Sequence, residues 1–270
     1  MGLIIGGIVL IAIGVILWIV KEKKANKLNV LEINETSNAN ELIENYKSLI
    51  DSHGPGTFSI YAELKGKAVS ETPQISEFGK KECVYYRSVV TREYEVLKTN
   101  RSSNGHTTKN WVRKSETISS NTNTSPDFSI KDETGKILID SRGAELYTVK
   151  TFSKFEQGNE PKGRGLNISF GGFSISSGPS TRTIGFKYEE FCIPTNTDLY
   201  VIGDVNDRSG KLSISKPKDK KQPFIVSTKS EDELTGTLEG SVKGMKIAAL
   251  ISLILGGILV TYGAITKIIS

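Results

Sequence analysis

The sequence has 270 residues, a formal net charge of +5, and only two cysteines and two histidines. Neither His53 nor His106 has a Cys or His neighbour at ligand spacing, so no sequence-local zinc site exists and neither metal nor cofactor is expected. All 30 acidic residues fall between positions 21 and 243, as do 33 of the 35 basic ones, since only Lys246 and Lys267 lie outside; the charges are interspersed rather than gathered in a stripe, which argues against a nucleic-acid binder.

The chain opens on an apolar run. From Leu3 to Val20, LIIGGIVLIAIGVILWIV carries no charge over 18 residues, roughly 27 Å of helix and enough to cross a bilayer. A cleaved signal peptide would need a basic n-region and a small-x-small cleavage site. Only Met1-Gly2 precede the run and KEKKANK follows it, so an uncleaved transmembrane helix over 3–20 is expected.

Residues 21–56 form a juxtamembrane segment with one amphipathic helix, NANELIENYKSLIDSHG. Leu42, Ile43, Tyr46, Leu49 and Ile50 recur at helical spacing, Ser37 or Asn38 can cap the start, and Gly54 stands where a left-handed residue ends a helix.

Beyond Gly56 the period drops to two. In TFSIYAELKGKAVS one face shows Phe58, Ile60, Ala62 and Leu64, and in CVYYRSVVTREYEV one face shows Val84, Tyr86, Val90, Tyr94 and Val96. Shorter strands are expected at 111–112, 128–131, 137–140, 168–170, 173–175, 199–202, 211–214 and 224–226. The polar runs KTNRSSNGHTTKN and SSNTNTSPD, and the glycine-rich GNEPKGRG and GGFSISSGPSTRTIG, read as loops. Residues 57–243 are therefore one mainly β domain, antiparallel, in part an OB-like barrel or a sandwich, with one or two short helices. KDETGK, residues 131–136, lacks the alternating acidic ligands of a calcium loop and reads as a hairpin turn.

The domain gives way to STKSEDEL, where Ser230 and Glu233 have the spacing of a capping box. Gly236, Gly240 and Gly244 weaken the helix that follows, so a flexible or broken connection is expected before a second transmembrane helix over 247–265. Small residues four apart, Gly2 and Gly6 on the first span and Ala248, Ser252 and Gly256 on the second, would let the spans pack on each other or on a second copy of the chain. Cys83 and Cys192 can be one disulfide or two buried thiols, according to the compartment.

Taken in order, LKGKA (64–68), CVYYR (83–87), Trp111, FSIKDETGKILIDSRGAEL (128–146), YEEFCIPTNTDLYVIG (188–203) and PFIVSTKSEDEL (223–234), bracketed by two apolar spans, resemble the GIDE or beside-a-membrane domain of MULAN-type membrane E3 ubiquitin ligases. In that family the RING finger that catalyses transfer follows the second span. A RING needs eight Cys and His ligands, and these 270 residues hold four. The resemblance thus implies a membrane-held interaction or regulatory module, not enzymatic by itself, with a protein partner. The alternatives are a component of an E3-like or other enzymatic membrane system, and an OB-like ligand-binding domain. No catalytic residue is nominated. The expected interaction surface is the outward face of the second long strand, Arg87, Thr91, Glu93 and Glu95, with Arg113.

Sidedness pits two arguments against each other. The resemblance implies a domain on the non-cytosolic side. Lys21, Lys23, Lys24, Lys27, Lys243 and Lys246 flank the spans on the domain side, against Lys267 and the amino terminus beyond them, and this bias predicts a cytoplasmic domain with both termini outside and reduced cysteines.

Overall fold

A computed structural model of the chain describes residues 2–101, 106–158 and 180–269. Along the chain run α1 (Gly2–Ile33), β1 (Thr36–Ser37), α2 (Ala39–His53), β2 (Ser59–Val69), β3 (Gln74–Ile75), β4 (Glu82–Arg101), β5 (Thr107–Thr124), β6 (Ser129–Lys131), β7 (Lys136–Ile139), β8 (Glu145–Tyr147), β9 (Val149–Gln157), β10 (Thr181–Pro194), β11 (Asp198–Asn206), β12 (Ser213–Ser215), β13 (Ile225–Ser227) and α3 (Glu231–Ile269). The fold is mainly β with two long apolar helices at its ends. The strands expected at 168–170 and 173–175 lie outside the described residues.

One sheet runs in the order β1-β2-β6-β7-β12-β11-β13-β8, and β2 also pairs with β11. That extra pairing closes β2, β6, β7, β12 and β11 into a barrel; numbered along the chain, its strands follow each other as 1-2-3-5-4. Five strands is the count of an OB-type barrel. The second sheet, a half-barrel, runs β3-β4-β10-β9 with β5 on β4.

The chain divides into two compact units. One comprises residues 1–64, 141–145 and 200–270, the other 65–140 and 146–199.

In the first unit, both termini of α2 follow from its sequence. Asn38 Oδ1 accepts the Glu41 N–H at 2.8 Å, and Gly54, at φ 79°, returns its N–H to Ile50 O at 2.9 Å. Tyr46 of α2 meets the Phe58 ring edge-on at 5.5 Å. Glu63 of β2 is fully buried and accepts from Thr36 at 2.7 Å and Tyr200 at 2.8 Å, so the chain leaving α1 is tied to β11 through one carboxylate. Burial, and then the Glu63 contact, push the Tyr200 hydroxyl well above its ordinary range.

The capping box forms as spaced: Ser230 Oγ accepts from Glu233 N at 3.2 Å while Glu233 Oε2 accepts from Ser230 N at 3.1 Å. The connection after it is not broken. α3 is one helix of 39 residues through Gly236, Gly240 and Gly244. Leu234 and Leu238 are buried on it, and packing of this kind overrides a glycine's local cost.

α1 and α3 lie antiparallel, their neighbours running in opposite directions: Ile4 beside Gly263, Gly7 beside Gly256, Gly14 beside Ala249, and Lys24 hydrogen-bonded to Ser241 at 2.7 Å. A Cβ at Gly7 would stand 2.7 Å from Gly256 O, and one at Gly256 would stand 2.8 Å from Gly7 O. The buried small residues are seven apart, Gly7 and Gly14 on α1 and Ala249, Gly256 and Gly263 on α3. This is the period of two helices staying in contact over many turns, whereas rows four apart suit a steep, local crossing.

In the second unit, β4 pairs β5 from Tyr85↔Thr124 to Arg101↔Thr107 and pairs β10 from Cys83↔Pro194 to Val96↔Thr181. The polar runs expected as loops are therefore strand at 98–101, 107–110 and 119–124. The backbone ladder to β4, interrupted by one register shift at Val90/Thr91, holds them although neither face is apolar, since β-strand preference is set by neighbours as much as by composition. KDETGK is a turn: Asp132 Oδ1 accepts from Thr134 N at 2.7 Å and Gly135 N at 2.8 Å.

Candidate interaction surface

From Tyr86 to Arg92 on β4 and from Phe186 to Cys192 on β10, even-numbered residues point to the buried side of the second sheet; beyond the register shifts at Ile193/Pro194 and Thr183/Gly185 the alternation resets, so Cys83 lies inward and Arg182 outward. Val90, Phe186 and Tyr188 form an apolar cluster with Phe78, Ile118 and Phe152. Cys83, Tyr86 and Cys192 form another. Between them Glu190 is fully buried. Its carboxylate accepts from Phe78 N at 2.6 Å, Gly79 N at 3.2 Å, Thr151 Oγ1 at 3.2 Å and Ser88 Oγ at 3.4 Å. Burial works to raise the Glu190 pKa, and hydrogen bonding from the Phe78 N–H, Ser76, the Gly79 N–H and Thr151 outweighs it and holds the group below the usual carboxylate range.

Thr151 Oγ1 lies 3.0 Å from Cys192 Sγ, whose distance to Glu190 Oε1 is 3.6 Å. Thiol, hydroxyl and carboxylate are the parts of a nucleophilic site. Cys83, Cys192 and Glu190 are each 0% exposed, however, so no substrate reaches them and the constellation is structural. Cys83 is pushed far up by its hydrogen bond to Cys192, then by burial and the Glu190 charge. Both cysteines are free thiols. Among the described residues no three His, Cys, Asp or Glu side chains gather as metal ligands would.

The outward side of the same strands is different. Glu95 stands opposite Arg113 of β5 and Arg182 of β10. Arg182 donates to Glu95 at 2.5 Å and lies 4.4 Å over the Trp111 ring, while Arg113 pairs with Glu93. Further along, Lys150 and Lys187 reach Glu189 at 2.5 and 3.0 Å, and Arg87 and Lys150 lie over the Phe191 ring at 5.2 and 5.4 Å. Lys150 first, and Lys187 with it, keep the Glu189 carboxyl below its ordinary range. Trp111 is 39% exposed and Phe155 43%.

Of the surface residues expected from sequence, Glu93, Glu95 and Arg113 come together in this ladder. Thr91 sits opposite Thr117 and Lys187, and Arg87 lies beside Phe191. Arg182, Lys187, Glu189 and Phe191 on β10, and Lys150 on β9, are absent from the sequence-derived set. The signal was the alternation in FKYEEFC, obscured because Glu190 occupies an inward position. Of the helix residues named from sequence, Gly256 is at the α1–α3 contact and Ser252 is half-buried. Ala248 is exposed, and a Cβ at Gly2 or Gly6 would meet nothing within 4 Å.

An outward sheet face and a helical hairpin define a β-rich module in which Cys83, Cys192 and Glu190 are closed to solvent. The profile of the GIDE family, described as E3 Ubiquitin ligase, matches residues 95–261, which is more than half of the sequence, and the chain belongs to that family. It is 28% identical over 209 residues to the E3 ubiquitin-protein ligase SP1 of Arabidopsis thaliana, covering 76% of this chain and 55% of that protein. It is equally similar to the E3 ubiquitin-protein ligase SPL1 of the same plant, with 56% of that protein covered. The chain thus spans about half the length of the curated relatives it matches. No solved structure matches it.

Proposed function

We propose that the chain is a membrane-held interaction module of the GIDE family, not enzymatic by itself, in which α1 and α3 cross the bilayer as a helical hairpin and the outward face of β4, β5, β9 and β10 takes a protein partner. The observation that carries this reading is the composition of that face. Arginines stacked on Trp111 and Phe191, with Phe155 open beside them, are the residue types enriched where proteins bind, while the carboxylate and thiols behind the sheet are sealed from solvent. The test is photo-cross-linking in native membranes from a benzophenone placed at Thr91 or Arg113, with Lys47 on the exposed side of α2 as the comparison. A discrete adduct from the sheet positions that is absent at Lys47 supports the reading; the same products at all three positions overturn it.

A second reading, a component of a ubiquitin-transfer system, is favoured by the names of the two plant relatives. It assigns the chain to substrate or partner engagement, because two Cys and two His cannot supply eight zinc ligands. Purified with ubiquitin, activating and conjugating enzymes, the chain alone transfers no ubiquitin; transfer in that mixture would contradict both readings.

For sidedness we take the lysine bias over the family analogy and place the domain on the cytoplasmic side. Protease added to intact cells stripped of their wall leaves residues 21–243 uncut, whereas digestion with a cytoplasmic marker intact reverses the orientation.

A further inference from the structure

The antiparallel fit of α1 and α3 brings two basic segments to one level. With Gly14 beside Ala249 and Lys24 bonded to Ser241, the apolar stretches ending at Val20 and beginning at Ile247 stop within about one helical turn of each other. Lys21, Lys23 and Lys24 follow at once on α1, and Lys243 and Lys246 on α3, within about one helical turn of each other. The acidic groups at this level are Glu22, paired with Lys21 at 2.7 Å, and Glu239, paired with Lys243 at 3.2 Å. Five lysines against two glutamates leave +3. Trp18 marks the boundary: it is 38% exposed, and the Lys21 ammonium sits 4.9 Å over its ring. An aromatic at the interface with a cationic collar just beyond the hydrocarbon is the arrangement that meets lipid headgroups.

We infer that this lysine collar is a docking surface for anionic phospholipid headgroups, so that the hairpin gathers acidic lipid around itself in the domain-side leaflet. The inference rests on the reading that α1 and α3 span the membrane. The charge complementarity is direct: a phosphate with no compensating choline or ethanolamine cation is attracted to clustered ammonium groups beside the membrane surface, and exposed Lys23 and Lys246 bracket the collar on the two helices.

The test uses the full chain with Trp111→Phe, leaving Trp18 as the sole tryptophan, reconstituted in phosphatidylcholine bilayers. Phosphatidylglycerol or phosphatidylcholine brominated near the headgroup is added at equal mole fraction, and quenching of Trp18 is compared. The expected result is an apparent enrichment of the anionic lipid of about threefold, which weakens as salt is raised. Replacing Lys21, Lys23, Lys24, Lys243 and Lys246 together by Gln removes the preference while quenching by the zwitterionic lipid is unchanged, and replacing them by Arg preserves it. Equal quenching by the two lipids in the starting protein, or a preference that survives the Gln changes, overturns the inference. Absence of quenching by either lipid overturns the membrane-spanning reading and the collar with it.

Discussion

Glu189 and Glu190 are neighbours on β10, and the two sides of one sheet treat them oppositely. Glu190 points inward, fully buried, and is held by two backbone N–H groups and the Ser88 and Thr151 hydroxyls. Glu189 points outward and is held by Lys150 and Lys187, both of them substantially exposed. Both carboxyls are held below their ordinary range, yet the causes differ, and so does the meaning. The inward carboxylate fixes the loop that carries Phe78 and Gly79. The outward one belongs to a solvent-facing ladder of ion pairs, on the face that the proposed function assigns to a partner. A lowered carboxylate pKa alone does not distinguish a structural anchor from a contact surface; the partners do.

The largest break in this contrast comes from the inward side. Glu190→Ala removes the acceptor for the Phe78 and Gly79 N–H groups and for the buried Ser88 hydroxyl, and we expect it to cost about 3 kcal/mol, read as a lowered unfolding midpoint in detergent. Close behind it, Gly256→Leu and Gly7→Leu drive side chains into the facing backbone and should cost about 2 kcal/mol or separate the hairpin, measured by cross-linking between cysteines placed on α1 and α3. Gly2→Leu and Gly6→Leu, which meet open space, leave that cross-linking unchanged.

Acid tests the hydrogen-bonded carboxylates without mutation. Hydrogen bonds from Ser70, the Glu71 N–H and Thr72 outweigh desolvation and hold Asp127 at about 2. A carboxyl with a depressed folded pKa stabilises fully above its unfolded value and loses that contribution as pH falls through the folded one. Stability should therefore decline from about pH 4 downwards, with Asp127 giving out around pH 2. In Asp127→Asn and Glu190→Gln the decline is shallower.

The outward side answers more weakly. Glu93→Gln and Glu95→Gln remove ion pairs to arginines that are more than half exposed, and each should change stability by less than about 1 kcal/mol. The cysteines give the smallest signal: folded protein is inert to maleimide, and two thiols per chain react only after unfolding, since both are 0% exposed.

How much of this was legible in the sequence depended on whether local rules were obeyed. α2 could be bounded from Asn38 and Gly54 because capping is a local hydrogen-bond problem. β2 and the first half of β4 could be read as strands because apolar residues recur at alternate positions, although Glu63 is buried and Ile60 exposed. β9 and β10 escaped notice: Glu190 on the apolar side spoils the alternation, and register shifts at Thr183/Gly185 and Glu190/Phe191 reset it. With β10 unseen, Arg182 and Phe191 could not be placed beside Glu95 and Arg87. The polar length of β5 carries no face pattern at all, and only its ladder to β4 makes it a strand. Continuity of α3 through three glycines depends on burial of Leu234 and Leu238, a tertiary effect that no window of sequence displays.

The central claim, that the outward face of the second sheet binds a partner while the inward face only supports it, is tested most directly by retention of the photo-cross-linked partner after purification in native lipid. The comparison is between the starting chain and Trp111→Ala with Arg113→Glu. The account predicts that the doubly substituted chain loses the partner while its unfolding midpoint stays within a few degrees of the original. A partner held as tightly by the substituted chain would contradict it.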